Sequence, residues 1–451
     1  MNNDQQLRRN IGLSTALSIV IGTVIGSGIF MKPGQVIDLA GSAQGALWAW
    51  ALGGIITICG GLTVSELSTQ IPKTGGLYVY MEEIYGKIIG YLSGWVQTII
   101  YGPTIIGALG LYFGSLLANL FGLSHIWITI FGISAVLFLA IMNSIGTKFG
   151  GVIQTAATIG KMVPVILIVV FGLWKGQSSI TGIAVSSSHG GIGGMGAAIL
   201  ATLFAYDGWM LISLVAGEMK NPQKVLPKAI TIGLSVVTFA YLAVNFALLH
   251  ILSPNTIVHL NENAAGKAAS IVLGGVGGKI INIGILISIF GCLNGKILTF
   301  PRIPYAMAVR GELPFSGLIS RIHKRFATPA YAIFLEVLIS LLFICFSDPD
   351  QLSQIAVFVI YIFYILSFIA VFILRKRNKG IKRPYSVPLY PIIPIIAIAG
   401  SSYIVLSTIF TSPKDSLYSI GLMLTGLPVY WLLRKQMKRY QSKQESEEAA
   451  G

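Results

Sequence analysis

The stretch Gly22-Thr23-Val24-Ile25-Gly26-Ser27-Gly28-Ile29-Phe30 lies in the middle of the first long apolar run of the chain. Glycine releases the backbone from helical φ/ψ, so three glycines this close together predict an interrupted helix rather than a continuous one. At membrane depth, backbone outside a helix is tolerated only where it is buried in protein or lines a cavity. A half-helix restarting near Ser27 would present unpaired N–H groups and the positive end of its dipole, which suits a carboxylate.

The rest of the sequence puts that run in a membrane. Of 451 residues, 54% are hydrophobic and only 10% charged. About twelve apolar stretches reach the roughly 20 residues that cross a hydrocarbon layer of about 30 Å. The fold class expected is an all-α polytopic membrane protein with about twelve transmembrane helices. The net charge of +15 follows from topology. With Arg8 and Arg9 inside and the spans alternating, most Lys and Arg fall on the cytoplasmic side. Both termini are therefore expected to be cytoplasmic and the protein to lie in the plasma membrane. Arg375-Lys376-Arg377 and Arg434-Lys435 read as stop-transfer anchors that also attract anionic membrane lipid. No nucleic-acid partner is expected.

The N-terminus lacks a small-residue cleavage site, and the first span is expected to stay uncleaved. Cys59, Cys292 and Cys345 all fall in apolar segments without CxxC or Cys/His spacing. His125, His189, His250, His259 and His323 are dispersed. Neither a metal nor a cofactor is expected, and no nucleophile and base or phosphate loop suggests an enzyme. The polar tail from Gln441 reads as disordered.

A second interruption stands at Phe204-Ala205-Tyr206-Asp207-Gly208-Trp209, where a carboxylate and a glycine enter another apolar span. If the chain holds two copies of a five-helix unit, the two breaks fall in the first and sixth helices, and the odd count inverts the second copy. Interrupted helices in corresponding positions of two halves point to a transporter binding site near the bilayer midplane. The organisation expected is a tail to about 10, a first repeat over about 11–175, an inverted second repeat over about 193–375, two added helices over about 387–435 and a tail over about 436–451. Tyr78 to Tyr85 reads as a helix lying on the membrane face. The stretch from Asn261 to Gly274 is either a short capping helix or a surface loop.

Several side chains stand out against this background. An intramembrane carboxylate is functional by default, and Asp207 admits three roles: binding a cationic side chain, carrying a coupling proton, or accepting from loose N–H groups of the break. Phe204 reads as an aromatic gate, whereas Tyr206 and Trp209 brace the break. Lys161, midway along the fifth span, is too deep to snorkel and must be paired or deprotonated. Lys296 and Arg302 read as snorkelling or inner-vestibule charges. Glu66 and Glu218, near helix ends, are expected to pair with nearby lysines. Thr104, Gly107, Tyr241, Cys292 and Asn294 are weaker candidates for the pocket lining.

In their order along the chain, Gly26-Ser27-Gly28-Ile29-Phe30, Pro72-Lys73-Thr74-Gly75-Gly76, Phe204-Ala205-Tyr206-Asp207-Gly208-Trp209, and Glu218 with Asn221-Pro222 and Pro227 resemble the amino acid, polyamine and organocation transporters. Within that superfamily the match is to the L-amino acid transporter branch, nearest its bacterial serine/threonine and alanine/serine/cysteine exchangers, from about Gly12 to Trp431. The resemblance implies a LeuT-like fold of five-plus-five inverted repeats with broken first and sixth helices. It also implies sodium-independent exchange of small neutral L-amino acids. In that pose Ser27, Gly28 and Ile29 donate N–H groups to the α-carboxylate across the turn through Ile25 and Gly26. The carbonyls of Val24, Phe204 and Ala205 hold the ammonium. Lys161 would reach a carbonyl near Gly22 and Ser288, standing where sodium-coupled relatives place an ion.

Eukaryotic members of the branch this chain resembles often pair with a glycoprotein through a cysteine in the loop after the third span. Here the loop Phe121-Gly122-Leu123-Ser124-His125 has none, so no disulfide-linked heavy chain is expected. The alternatives left open are a proton-coupled amino acid importer, a polyamine or cationic amino acid exchanger using Asp207, and an amino-acid-sensing receptor or channel.

Overall fold

The computed structural model describes residues 11–71, 75–146, 153, 157, 160–176, 192–323, 325–326, 328–380 and 383–449, without the side chains of 192–193, 214–218 and 441–449. The expectations for Arg8, Arg9, Pro72-Lys73-Thr74, His189 and the Glu218 side chain lie outside the described residues. All regular structure among the described residues is helical. In chain order it comprises α1 (Leu13–Val24), α2 (Gly28–Met31), α3 (Pro33–Ala40), α4 (Ala43–Gln70), α5 (Leu77–Tyr85) and α6 (Lys87–Val96). A π-turn over Gln97–Tyr101 leads into α7 (Gly102–Phe121), α8 (Ile126–Ile145), α9 (Met162–Lys175) and α10 (Ile192–Ala205). A 3₁₀ stretch (Trp209–Glu218) is followed by α11 (Pro222–Ile251), α12 (Pro254–Leu260), α13 (Ala264–Thr299), α14 (Arg302–Val309) and α15 (Ser316–Ile319). The last helices are α16 (Ala330–Phe346), α17 (Pro349–Arg377), α18 (Ile392–Thr411), α19 (Pro413–Leu424) and α20 (Gly426–Ala449).

Among the described residues nine stretches are long and apolar enough to cross a membrane, and Met162–Lys175, Gly194–Ala205 and Ala330–Phe346 are shorter apolar helices. Together they make the expected twelve. Gly194–Ala205 is short because the second break cuts it. Outward-facing Phe239, Phe346 and Phe410 are 75%, 83% and 82% exposed, an arrangement that suits hydrocarbon and not water.

Local chemistry sets the element ends. Gly41, at φ 72°, closes α3, and the Ser42 hydroxyl starts α4 by accepting the Gly45 N–H at 3.0 Å. Proline opens α11, α12, α17 and α19, where its missing N–H costs no helical bond. Asn261–Asn263 forms a 3₁₀ turn and the residues after it begin α13, which breaks at Gly274 (φ 78°). This stretch is therefore helical and not a surface loop. The tail read as disordered instead continues α20 to Ala449.

The core gathers around the two breaks. The helix α1 packs on α11, and α10 lies against α3, α4 and α18, while α7 touches α8, α13, α16 and α17. Trp50, Tyr206 and Tyr241 form an aromatic cluster, with Tyr241 centroids 5.4 Å from Trp50 and 5.0 Å from Tyr206. The Tyr206 hydroxyl donates to the Trp50 carbonyl at 3.0 Å, which fixes the turn after α10.

Candidate functional site

The first break opens where α1 ends at Val24 and Ile25 turns extended (φ −66°, ψ 104°). Ser27 returns to helical angles, and its carbonyl accepts from the Phe30 and Met31 N–H groups, each at 3.0 Å. The N–H groups of Ser27, Gly28 and Ile29 thus belong to a first turn that offers them no intrahelical acceptor. The second break follows α10. The Tyr206 N–H still reaches the Thr202 carbonyl at 3.1 Å and that of Asp207 the Phe204 carbonyl at 3.2 Å, after which Gly208 takes φ 110°. The breaks abut: a Cβ on Gly28 would overlap Ala205 Cα, and one on Gly208 would lie 2.8 Å from the Thr23 carbonyl oxygen.

Between the breaks lies a cavity of about 10 Å³, room for about one water molecule. Its walls are Val24, Gly26, Ser27 and Gly28 from the first break and Phe204, Ala205 and Asp207 from the second. Ile105 and Leu109 of α7 and Cys292 and Lys296 of α13 close it. Both of these pairs are spaced i, i+4 and so share a helix face. Cys292 abuts the first break, since a Cβ on Gly26 would sit 2.8 Å from its sulfur.

Three of the weaker pocket candidates lie elsewhere. The Thr104 hydroxyl donates to the Ile100 carbonyl of its own helix at 2.7 Å. Gly107 faces Leu352 and Ile344. The Asn294 side-chain oxygen accepts from Asn143 at 2.9 Å. A helix apolar all round gives no stripe from which to assign its faces, and here it is Ile105 and Leu109 that face inward. Tyr241 does not line the cavity. Its hydroxyl stands 2.9 Å from the Val24 carbonyl oxygen and 2.8 Å from that of Ala205, linking the ends of α1 and α10 with one proton.

Lys161, 3% exposed, caps α9 and donates its ammonium to the Gly22 carbonyl. Ser288 does not join it; the Ser288 hydroxyl donates to the Gly26 carbonyl at 3.4 Å. Both contacts land on the first break from different helices.

Asp207 is held by side chains, not by loose backbone N–H groups. Its carboxylate pairs with the Lys296 ammonium and accepts from the Tyr101 hydroxyl, with side-chain exposures of 5% for Lys296 and 8% for Asp207. Lys296 is therefore paired and not snorkelling, which corrects that reading. A second ionic cluster stands beside the Phe204 ring. Lys32, fully buried, donates to Asp350 at 2.7 Å, Gln35 at 2.6 Å and Ser353 at 2.7 Å, and Tyr112 donates to the same carboxylate. The Lys32 ammonium lies 5.2 Å from the Phe204 ring centroid, within cation–π range. The sequence reading missed this cluster. Its signal was a lysine, Lys32, just past the first break.

Away from the cavity, Glu66 is fully buried and pairs not with a lysine but with Arg375, whose guanidinium bonds it at 2.8 and 2.6 Å; the Val387 N–H adds a third bond at 2.7 Å. Arg375, read as a stop-transfer anchor, thus ties α17 to α4. No group of three or more His, Cys, Asp or Glu side chains among the described residues is placed to hold a metal.

Residues 11–433 match the family model for amino acid permeases. The chain is 57% identical over 433 residues to a serine/threonine exchanger of Bacillus subtilis (strain 168), covering 96% of this chain and 98% of that protein. It is 31% identical to the large neutral amino acids transporter small subunit 2 of Homo sapiens (94% and 80% covered), and 30% identical to the human cystine/glutamate transporter (95% and 85%).

Proposed function

We propose, for a chain that belongs to the amino acid permease family of the amino acid, polyamine and organocation superfamily, that it exchanges small neutral L-amino acids across the plasma membrane by alternating access. One observation carries this reading: two interrupted helices meet at one cavity, and among the described residues the carboxylate that lines it, Asp207, is already paired with Lys296. The substrate carboxylate takes the free N–H groups at Ser27, Gly28 and Ile29, and its ammonium takes the remaining lone pairs of the Val24, Phe204 and Ala205 carbonyls. These are groups that every α-amino acid satisfies. The neutralised Asp207 favours an uncharged side chain over a polyamine or cationic one, and Ile105 and Leu109 favour a small one. The 57% identity to a serine/threonine exchanger supports the same class.

A cavity this small admits an amino acid only when its walls part. The two ionic clusters are suited to control that movement from opposite sides. With both termini cytoplasmic, the Lys32–Asp350 cluster lies toward the outside and the Asp207–Lys296 pair toward the inside. The inverted repeats place α1 and α10 as the corresponding moving elements. The Lys161 amino group on the Gly22 carbonyl fills the place beside the first break where a cation would otherwise bind, and exchange is accordingly independent of sodium. Labelled serine taken up by proteoliposomes preloaded with serine, alanine or threonine, and not by empty ones, in sodium and in choline alike, is the result expected. Equal uptake by empty vesicles, or uptake only with a sodium gradient, would refute exchange in this form.

A further inference from the structure

Glu336 sits in the spanning helix α16, fully buried, and neither carboxylate oxygen has a hydrogen-bond partner. Among the described residues no charged group bonds to it. From the elements packed on α16, the titratable groups are Tyr112 on α7, Tyr101 on the π-turn, and Arg302 and Tyr305 on α14; α8 and α15 contain none. Tyr331 and Cys345 lie on α16 itself. None of these bonds to Glu336, and Tyr112 and Tyr101 are committed to Asp350 and Asp207. An isolated carboxylate in an apolar interior neutralises rather than stays charged, and an ionisable residue within a span is functional by default.

The surroundings show what such a group would act on. Its oxygens crowd the bare α-carbon of Gly102, where a Cβ would lie 2.5 Å from Oε2 and 3.1 Å from Oε1. Gly102 closes the π-turn, its N–H bonding the Gln97 carbonyl, and π-turns inside helices mark functional sites. Tyr101, the preceding residue, holds Asp207 of the amino acid cavity. One helical turn before Glu336, Ile333 lines a separate cavity of about 360 Å³ that also touches Arg302, Tyr305, Asn143 and Thr328. That cavity, polar at Arg302, Asn143 and Thr328, thus comes within one helical turn of the carboxyl group.

We propose that Glu336 is a proton-binding site of the transport cycle. In this closed conformation it is a carboxylic acid. When α16 parts from α7, the carboxyl O–H bond breaks and its proton passes to water in the Arg302 cavity. The carboxylate left behind shifts the π-turn and with it Tyr101. Rebinding of a proton from that water restores the closed contact.

Infrared spectroscopy of the purified protein tests the first half without any transport. Well above pH 7, where the Glu312 carboxyl is ionised, the carbonyl stretch of a carboxylic acid, above the amide band, should be present in the native protein, absent in Glu336→Gln and shifted in Glu336→Asp. A native protein lacking the band, or one whose band survives in Glu336→Gln, overturns the assignment. The second arm rests on the exchange reading and uses a Glu312→Gln parent, which removes a half-buried carboxyl that burial pushes up to about 7. Serine exchange in this parent should vary with pH, and adding Glu336→Gln should abolish that variation. A flat parent profile, or one unchanged by Glu336→Gln, overturns the coupling. Should Glu336→Gln fail to fold, Glu336→Asp must displace the profile along the pH axis, and an undisplaced profile overturns it equally. The infrared band without any serine exchange would uphold the proton site and refute the exchange reading instead.

Discussion

Gly28 leaves no room for a side chain, because a Cβ there would meet Ala205 backbone, which cannot rotate away. Gly28→Ala should therefore force the two breaks apart and reduce serine transport on the order of 100-fold, as ångström-scale misplacement in a tight site does. Gly421→Ala, with open space around it, should leave transport unchanged in the same assay. Asp207 and Lys296 make the opposite case, a pair that must be removed together. Lys296→Met strands a buried carboxylate at about 3–5 kcal/mol and should cut the yield of monodisperse protein in size-exclusion chromatography. The double variant Asp207→Asn/Lys296→Met should recover it. This partnership was not legible in the sequence, since 89 residues separate the two and Lys296 stands near a span end, where snorkelling is the ordinary fate. The glycine break was legible because its cause is local: the residues that free the backbone are the residues that form the break. The faces of α7 were not, and Ile105 and Leu109 came to light only when neighbouring helices chose a side.

At the level of elements, the Lys32 cluster locks α3 to α17 over the cavity. Asp350→Asn removes the charge that holds Lys32 and should raise the reactivity of Cys292 toward a membrane-impermeant thiol reagent roughly tenfold, equivalent to about 1.4 kcal/mol of closure. The measurement needs Cys59 and Cys345 replaced by serine, and an unchanged labelling rate would contradict the lock. On the other face, α5 docks on the loop after α14. Tyr78 donates to Glu312 at 2.5 Å, and Arg310 bonds Tyr78 at 2.8 Å and Glu82 at 2.5 Å. Burial lifts the Glu312 carboxyl from its ordinary 4.5 to about 7, against the opposing pull of the Tyr78 hydrogen bond and Arg310. A carboxyl raised by folding stabilises the docked state fully below its ordinary value and loses that contribution as pH rises through about 7. Amide protection across Leu77–Tyr85, corrected for the base-catalysed rise in intrinsic exchange, should accordingly fall from mildly acid to mildly alkaline pH, and Glu312→Gln should flatten that fall. The short α5 was readable from its aromatic and acidic residues after a glycine turn. The π-turn before α7 was not, because no local residue choice announces an inserted residue in a span apolar throughout.

Across the whole molecule, twelve spans followed from hydropathy alone, since hydrocarbon demands length and apolarity of every crossing helix. The two units read over about 11–175 and 193–375 rest on the spacing of the breaks, since the halves show no evident residue-level likeness. What unites the molecule is the meeting of those breaks: α1 and α10 end at carbonyls joined by Tyr241, and α2 restarts at Gly28, which lines the same cavity. The most direct test is an electron cryomicroscopy map of the protein saturated with serine in lipid nanodiscs. Density between the breaks is predicted, with the carboxylate on the Ser27, Gly28 and Ile29 N–H groups and the ammonium toward the Val24, Phe204 and Ala205 carbonyls. Serine density elsewhere, with these N–H groups turned away from it, would contradict the clamp.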